Sequence, residues 1–304
     1  MASSACWRCM GGCCVAASPQ AARAPSRRAG RHGAAVPVRA AAPVRRCRPA
    51  MGTYVEVMTE PAAGISAAEV LGAVEAAYAA IERVEACMSP HRPDSDLCRI
   101  AAAPAGAVLV IDPWTWDVLA LAGQLHQASA GLFDCAADAG RPGASQRVLQ
   151  LLPAARVRVG APVRVDLGGI AKGHAVDRAV AALRAAGIRQ GRVNAGGDLR
   201  VLGRVPQPIH VRDPSVPGRV RHLGDLADGA VATSAPGAGA RLQAQPLRSA
   251  IVDPRSGQAL AGGASYTVVA PTCALADGLT KVLALGGAQA HGCLAAFGAQ
   301  GWVL

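Results

Sequence analysis

The stretch VDLGGIAKGHAVDRAVAALRAAGI, residues 165–188, sets Gly168 and Gly169 between an apolar run and a helical pattern. Glycine lets backbone approach a ligand closely. A helix N-terminus adds unpaired amides and the positive end of a dipole, so the arrangement suits an anion. Lys172 follows in the first turn, where its charge opposes the dipole unless an anion sits between. The spacing is neither a Walker loop nor G-x-G-x-x-G, so those two nucleotide folds fit poorly. A Gly-Gly pair before a helix also serves plain close packing, and the residues alone leave both readings open.

Asp277 stands with Thr280 and Lys281 inside an apolar helical stretch, 274–285, that carries Leu275, Leu279, Val282 and Leu285. A buried carboxylate needs a cation, and the choice lies between Lys281 at i+4 and a metal. Asn194-Ala195-Gly196-Gly197-Asp198 is a glycine turn with two polar side chains, which is common turn chemistry. Met88 to Ser95 form a polar loop after a core helix. His126, His174, His210, His222 and His291 have no ligand spacing, and the nucleophile elbow G-x-S-x-G and the zinc motif H-E-x-x-H do not occur.

These residues need elements to hold them. Residues 51–59 alternate as a strand. Ser66 to Glu69 form a capping box, and Val70, Val74, Ala77, Ile81, Val84 and Met88 follow at helical spacing up to Pro90. Asp112-Pro113 opens a second helix that Gly131 closes, and Val163 to Leu167 predict a strand before the helix that Gly187 ends. Residues 191–203 predict two short strands around a turn, with further strands in IHVRD, GAVATS, SAIVDP and SYTVVAP. Helices and strands do not alternate strictly, which predicts an α+β fold.

The 304 residues carry a net charge of +11, but nine arginines fall in the first 50 and the first acid is Glu56. The remaining 254 residues hold only +2, which disfavours a phosphodiester groove. All basic residues but Lys172 and Lys281 are arginine. Aromatics are 3%, too few for base-stacking surfaces, and no apolar run reaches the roughly 20 residues of a membrane span. Residues 1–48 are acid-free and rich in Arg, Ala and Pro. They predict a disordered extension, or a transit-like leader, before a domain over 49–304. Cys6, Cys9, Cys13, Cys14 and Cys47 cluster there without the paired spacing of a zinc module, and the other five cysteines predict small core residues.

In order, the chain carries MGT (51–53), MSPHRPDSDLCRI (88–100), GLFD (131–134), DLGGIAKGHAVD (166–177), VNAGGDL (193–199), VATS (231–234), IVDPRSG (251–257) and ADGLTKVLALGG (276–287). The series resembles the ApbE-type flavin transferase family, the FAD:protein FMN transferases, over about residues 50–290. The resemblance implies an ApbE-like, T-fold-related fold of two interlocked subdomains, with FAD and Mg2+ in the cleft between them. The implied reaction moves FMN from FAD to a Thr or Ser hydroxyl of a target protein and releases AMP. Carried over by position, FAD contacts fall on Met51, His91, Leu132, Phe133, Asp134, Asp166, Lys172 and Ile251. Metal contacts fall on the Gly169 carbonyl, Asp277, and the Thr280–Lys281 pair, with Lys172 and Asp277 assisting catalysis.

Four departures stand out. His91 replaces an aromatic that stacks on the flavin, and Ala250 stands where the family has a histidine implicated in transfer. Only 31 residues separate Asp134 from Asp166, and Lys281 takes the position of a metal-binding Thr. Lys281 predicts weak Mg2+ binding in the free protein. The alternatives are a module that holds FAD without transferring it and a pyrophosphatase that yields FMN and AMP. The family is often exported, but 1–48 lack the basic-then-apolar order of a signal peptide, which leaves a cytoplasmic location open.

Overall fold

The protein is described by a computed structural model covering residues 42–60, 64–136, 144–216, 218–236 and 251–304. Strands β1 (Val44–Ala50) and β2 (Thr53–Thr59) form an antiparallel hairpin. Its two-residue loop has φ 54° at Met51 and 70° at Gly52, the positive values that a tight primed turn requires. Helix α1 (Ala67–Met88) follows with the expected reciprocal cap: Glu69 N donates to Ser66 Oγ at 3.3 Å, and Ser66 N donates to Glu69 Oε2 at 2.7 Å.

The chain then leaves the main sheet. Helix α2 (Asp96–Ala102), β3 (Val108–Val110), α3 (Pro113–Ala128), α4 (Ala144–Val148), β4 (Leu149–Leu152) and β5 (Arg156–Val159) build a smaller lobe around the sheet β3-β5-β4. Asp96 ties this lobe together, since its Oδ2 accepts from Asp112 N at 2.9 Å and Thr115 Oγ1 at 2.7 Å.

Helix α5 (Ala171–Ala185) returns the chain to the main sheet. Then come β6 (Gly191–Ala195), β7 (Asp198–Leu202), the side hairpin β8 (Gln207–Arg212) and β9 (Val220–Leu226), β10 (Ala230–Ser234) and β11 (Tyr266–Ala270). Helix α6 (Cys273–Gly286), α7 (His291–Ala296) and β12 (Gln300–Val303) complete it. The large sheet runs β1-β2-β6-β7-β10-β11-β12, and every strand pairing among the described residues is antiparallel. Because β2 pairs with β6, the small lobe is inserted between neighbouring strands of the large sheet, which interlocks the two. One core joins them, from Val55, Val57 and Val193 through Val74, Ile81, Val180 and Leu279 to Val118, Val157 and Val159. The α+β expectation and the interlocked lobes hold.

Three expectations need correction. Strand β1 starts at Val44, so residues 44–48 of the segment expected to lie outside the fold belong to the main sheet. Arg48 there bonds Glu75 and lies 4.3 Å over the Tyr78 ring, so one tail arginine stitches β1 to α1. The 163–167 strand reduces to one bridge, Ala136 with Val165, although Val163, Val165 and Leu167 are buried alternately as a strand would bury them. SAIVDP likewise gives only the bridge Val252 with Ala259, and its Ser249 and Ala250 lie outside the described residues. Cys6, Cys9, Cys13 and Cys14 also lie outside them, whereas Cys47 is exposed on β1 and Cys135 and Cys273 are core residues. No described helix is long and apolar enough to cross a membrane.

Candidate functional site

Four charged side chains from three elements converge where α5 meets α6. Asp277 of α6 is fully buried; its Oδ1 accepts from Lys281 Nζ one turn later, and its Oδ2 accepts from Gly173 N at 3.2 Å. Lys172 Nζ lies 3.5 Å from Asp277 Oδ2 and 3.0 Å from Asp198 Oδ2 at the start of β7. The Asp198 contact is an ion pair off the line of a hydrogen bond. Cations and anions therefore alternate as Lys281, Asp277, Lys172 and Asp198.

This answers the paradox of a lysine at a helix N-terminus. The anion between Lys172 and the α5 dipole is the protein's own Asp277, held by the Gly173 amide. Burial raises the Asp277 pKa, but Lys281, Lys172 and that amide outweigh it and hold the carboxyl below its ordinary value. Asp198 behaves oppositely. Burial, then repulsion from Asp277, pushes it up to about 6 despite the two lysines. Lys172 loses by burial but gains more from Asp277 and Asp198, so its pKa is raised.

Gly173 and Asp177 bring α5 and α6 this close. A Cβ at Gly173 would lie 2.2 Å from the Cys273 carbonyl oxygen, so the helices touch backbone to backbone. Asp177 accepts from Cys273 N and Ala274 N, each at 2.9 Å, which caps α6 from the neighbouring helix; Arg200 also binds it.

The 166–169 loop connects this cluster to a cleft. Asp166 Oδ1 accepts from Gly168 N at 2.7 Å, and Lys172 Nζ donates to Gly168 O at 3.5 Å. Asp166 and His91 both line a cleft of about 260 Å3, with Pro90, Leu97, Cys98, Ala101, Arg164 and Val165. The His91 loop is held by Ser95, whose Oγ caps α2 and donates to Ser89 O at 2.7 Å. The GLFD loop reaches the same region, since Asp166 N donates to Cys135 O at 2.8 Å. Phe133 is buried, 3.6 Å from where a Gly169 Cβ would be, and Leu132 packs against Gly286. Asp134 Oδ1 accepts from Ala136 N at 2.9 Å, and its buried Oδ2 lies 3.6 Å from His126 Nδ1 with no hydrogen-bond partner among the described residues.

The other expected positions lie on separate segments. Met51 occupies the β1–β2 turn and donates from its amide to Glu85 at 3.2 Å. Its neighbour Thr53 would be 2.5 Å from a Cβ on Gly196, so that turn abuts the glycine turn leading to Asp198. Ile251 is buried, its carbonyl accepting from Leu260 N at 2.8 Å. Sequence reasoning missed Asp198, Arg164 and His126. Asp198 carries no sequence signal beyond its place in a common glycine turn.

The expected Mg2+ set fits poorly. A hard dication needs oxygen ligands, yet the partners crowding Asp277 are two ammoniums and an amide N–H. Thr280 Oγ1 donates to Asp277 O at 2.6 Å and meets Ser234 Oγ at 2.8 Å, so it faces β10. Among the described residues, no group of three or more His, Cys, Asp or Glu is arranged to hold a metal ion.

The ApbE family model matches residues 51–299, most of the chain and every element that builds the cluster and cleft. The chain belongs to the ApbE family. It is 30% identical over 267 residues to an FAD:protein FMN transferase of Rhodobacter capsulatus, covering 78% of this chain and 50% of that protein. It is 35% identical over 131 residues to the FAD:protein FMN transferase of Vibrio cholerae, covering 41% of this chain and 39% of the relative. This ApbE-family chain thus spans about half the length of the curated relatives it matches. Among solved structures it resembles the flavin transferase ApbE from Vibrio cholerae, with 25% identity, a TM-score of 0.70, and coverage of 86% of this chain and 93% of that one. The ApbE protein of Thermotoga maritima shares the fold at 24% identity, with a TM-score of 0.73 and coverage of 86% and 94%.

Proposed function

We propose that this chain binds FAD and transfers its FMN half to a Thr or Ser hydroxyl of a target protein, releasing AMP. One observation carries the reading. The 166–169 loop joins a cleft beside His91 to a pair of lysine ammoniums, the order in which FAD presents its ring and its diphosphate. The imidazole of His91 lies against the flavin ring, and Lys172 meets the diphosphate.

In the transfer, the acceptor oxygen bonds to the FMN phosphorus while the bond from that phosphorus to the bridging oxygen breaks. The hydroxyl proton is released to solvent, and AMP departs with the bridging oxygen. Lys172 neutralises charge building on the leaving phosphate. Asp277 acts indirectly, by fixing Lys172 and Lys281. Mg2+ dependence was expected from the resemblance, but the donors at Asp277 give it no support, and no step is routed through a metal.

A second reading, an FAD-holding module without transfer, is favoured by Lys281 and by the alanine at position 250. Incubation with FAD and a Thr-containing acceptor, followed by mass spectrometry and AMP assay, separates them. Flavinylated acceptor with stoichiometric AMP supports the transferase. Bound intact FAD supports the module, and free FMN with AMP supports a pyrophosphatase.

A further inference from the structure

We propose that in this chain the Lys281 ammonium takes the place of a divalent cation at Asp277, so that FAD binds without a divalent metal. The inference rests on the FAD reading above and adds to it which group supplies the positive charge.

The Lys281 ammonium bonds both the Asp277 side chain and, at 3.1 Å, the Asp277 backbone carbonyl. It therefore engages two oxygens of one residue, as a bound cation would. Among the described residues these are its only hydrogen bonds, which leaves the third N–H for an anionic ligand. The Lys281 and Lys172 side chains are 19% and 31% exposed, so each reaches solvent while its carboxylate partner is sealed.

Gly169 makes room for this. A Cβ there would stand 3.3 Å from Lys281 Cε, tight enough to push the stem aside. The glycine whose carbonyl was expected to bind metal thus underlies the lysine stem. Thr280 is committed to Ser234 and supplies no ligand in its stead.

Charge leads to the same conclusion. Two carboxylates face two ammoniums, and no net negative charge remains to draw in a dication. Mg2+ at Asp277 would have to displace the Lys281 hydrogen bonds and sit beside two like charges in a closed site. A diphosphate meets the reverse situation, with two ammoniums already oriented by buried acids.

The test uses the whole chain and two titrations. Mg2+ is titrated into flavin-free protein by calorimetry, and FAD affinity is read by flavin fluorescence in EDTA and in excess Mg2+. The wild type is expected to show no saturable Mg2+ binding and the same FAD affinity, within about twofold, in both media. Lys281→Thr is expected to bind FAD about tenfold more weakly in EDTA and to recover when Mg2+ is added. Saturable Mg2+ binding by the wild type, or an FAD affinity that falls about tenfold in EDTA, overturns the proposal. So does a folded Lys281→Thr protein indifferent to Mg2+. If that variant does not fold, the wild-type titrations decide alone. FAD binding only with Mg2+ overturns the proposal and leaves the FAD reading standing, whereas no FAD binding in either medium overturns that reading itself.

Discussion

The Gly173 amide donates to the buried carboxylate of Asp277 at 3.2 Å, so the N-terminus of α5 is closed by an acid from α6. This bond, with the Lys172 and Lys281 pairs, makes the meeting point of two helices a charge-balanced site. The energetic cost of taking Asp277 out of water is offset by three donors, and removing one leaves a buried charge short of partners.

The two glycines of this region should respond differently to a methyl group. Gly173→Ala gains about 1 kcal/mol of helix propensity but drives Cβ into the Cys273 carbonyl. Overpacking against rigid backbone costs about 1–3 kcal/mol or more, so a net loss of stability is expected. Gly169→Ala meets only the flexible Lys281 stem and the Phe133 ring edge, and should fold almost normally while weakening FAD binding. Urea denaturation with flavin titration checks both; equal effects on the two readouts would contradict the contrast.

His174 should make stability depend on acid. Burial first, then Arg178, lowers its pKa to about 4, and its Nε2 has no hydrogen-bond partner among the described residues. The unfolded chain takes up the proton near its ordinary value of 6.5, so stability falls as pH drops from about 6.5 to about 4 and is unaffected above that window. The full effect is on the order of 3 kcal/mol. His174→Asn should flatten that part of the pH–stability curve, measured by urea midpoints from pH 8 to 4. An unchanged slope would mean other groups carry it.

Helix α1 was legible because its signals are local: Ser66, Glu69 and six apolar residues at helical spacing lie within one stretch. Strand β1 was not, because VRRCRPA looks like a solvated tail until Glu56 and Glu75 are brought opposite its arginines. The alternation of Val163, Val165 and Leu167 reports burial correctly, but alternation does not supply a neighbouring strand. At the site, the i+4 pairing of Lys281 with Asp277 can be read from spacing alone. The partnership of Lys172 with Asp198 cannot, because it arises only where α5 meets the start of β7.

Asp177 should act at a distance from any ligand. Its two carboxylate oxygens cap α6, which carries both Asp277 and Lys281. Asp177→Ala should cost about 1–2 kcal/mol through the lost cap, with further loss from Arg200 left without its acid. FAD affinity should fall with it. Thermal melts and flavin titration measure the two together, and a stable variant with intact affinity would refute the positioning role.

Truncation should find a boundary near Val44. Removing residues 1–48 deletes most of β1 and its contacts with Glu56 and Glu75, and should lower the Tm well below that of a protein lacking only residues 1–41. Identical melts for the two truncations would show that β1 contributes nothing to stability.

One ligand spanning the His91–Asp166 cleft and the Lys172–Asp277 cluster is the centre of this account, and equilibrium dialysis with FAD and riboflavin tests it most directly. FAD presents a ring to the cleft and a diphosphate to the lysines; riboflavin presents only the ring. The account predicts saturable FAD binding at least about a hundredfold tighter than riboflavin, the size expected of two charge-assisted contacts. Equal binding of the two, or none of either, would contradict it.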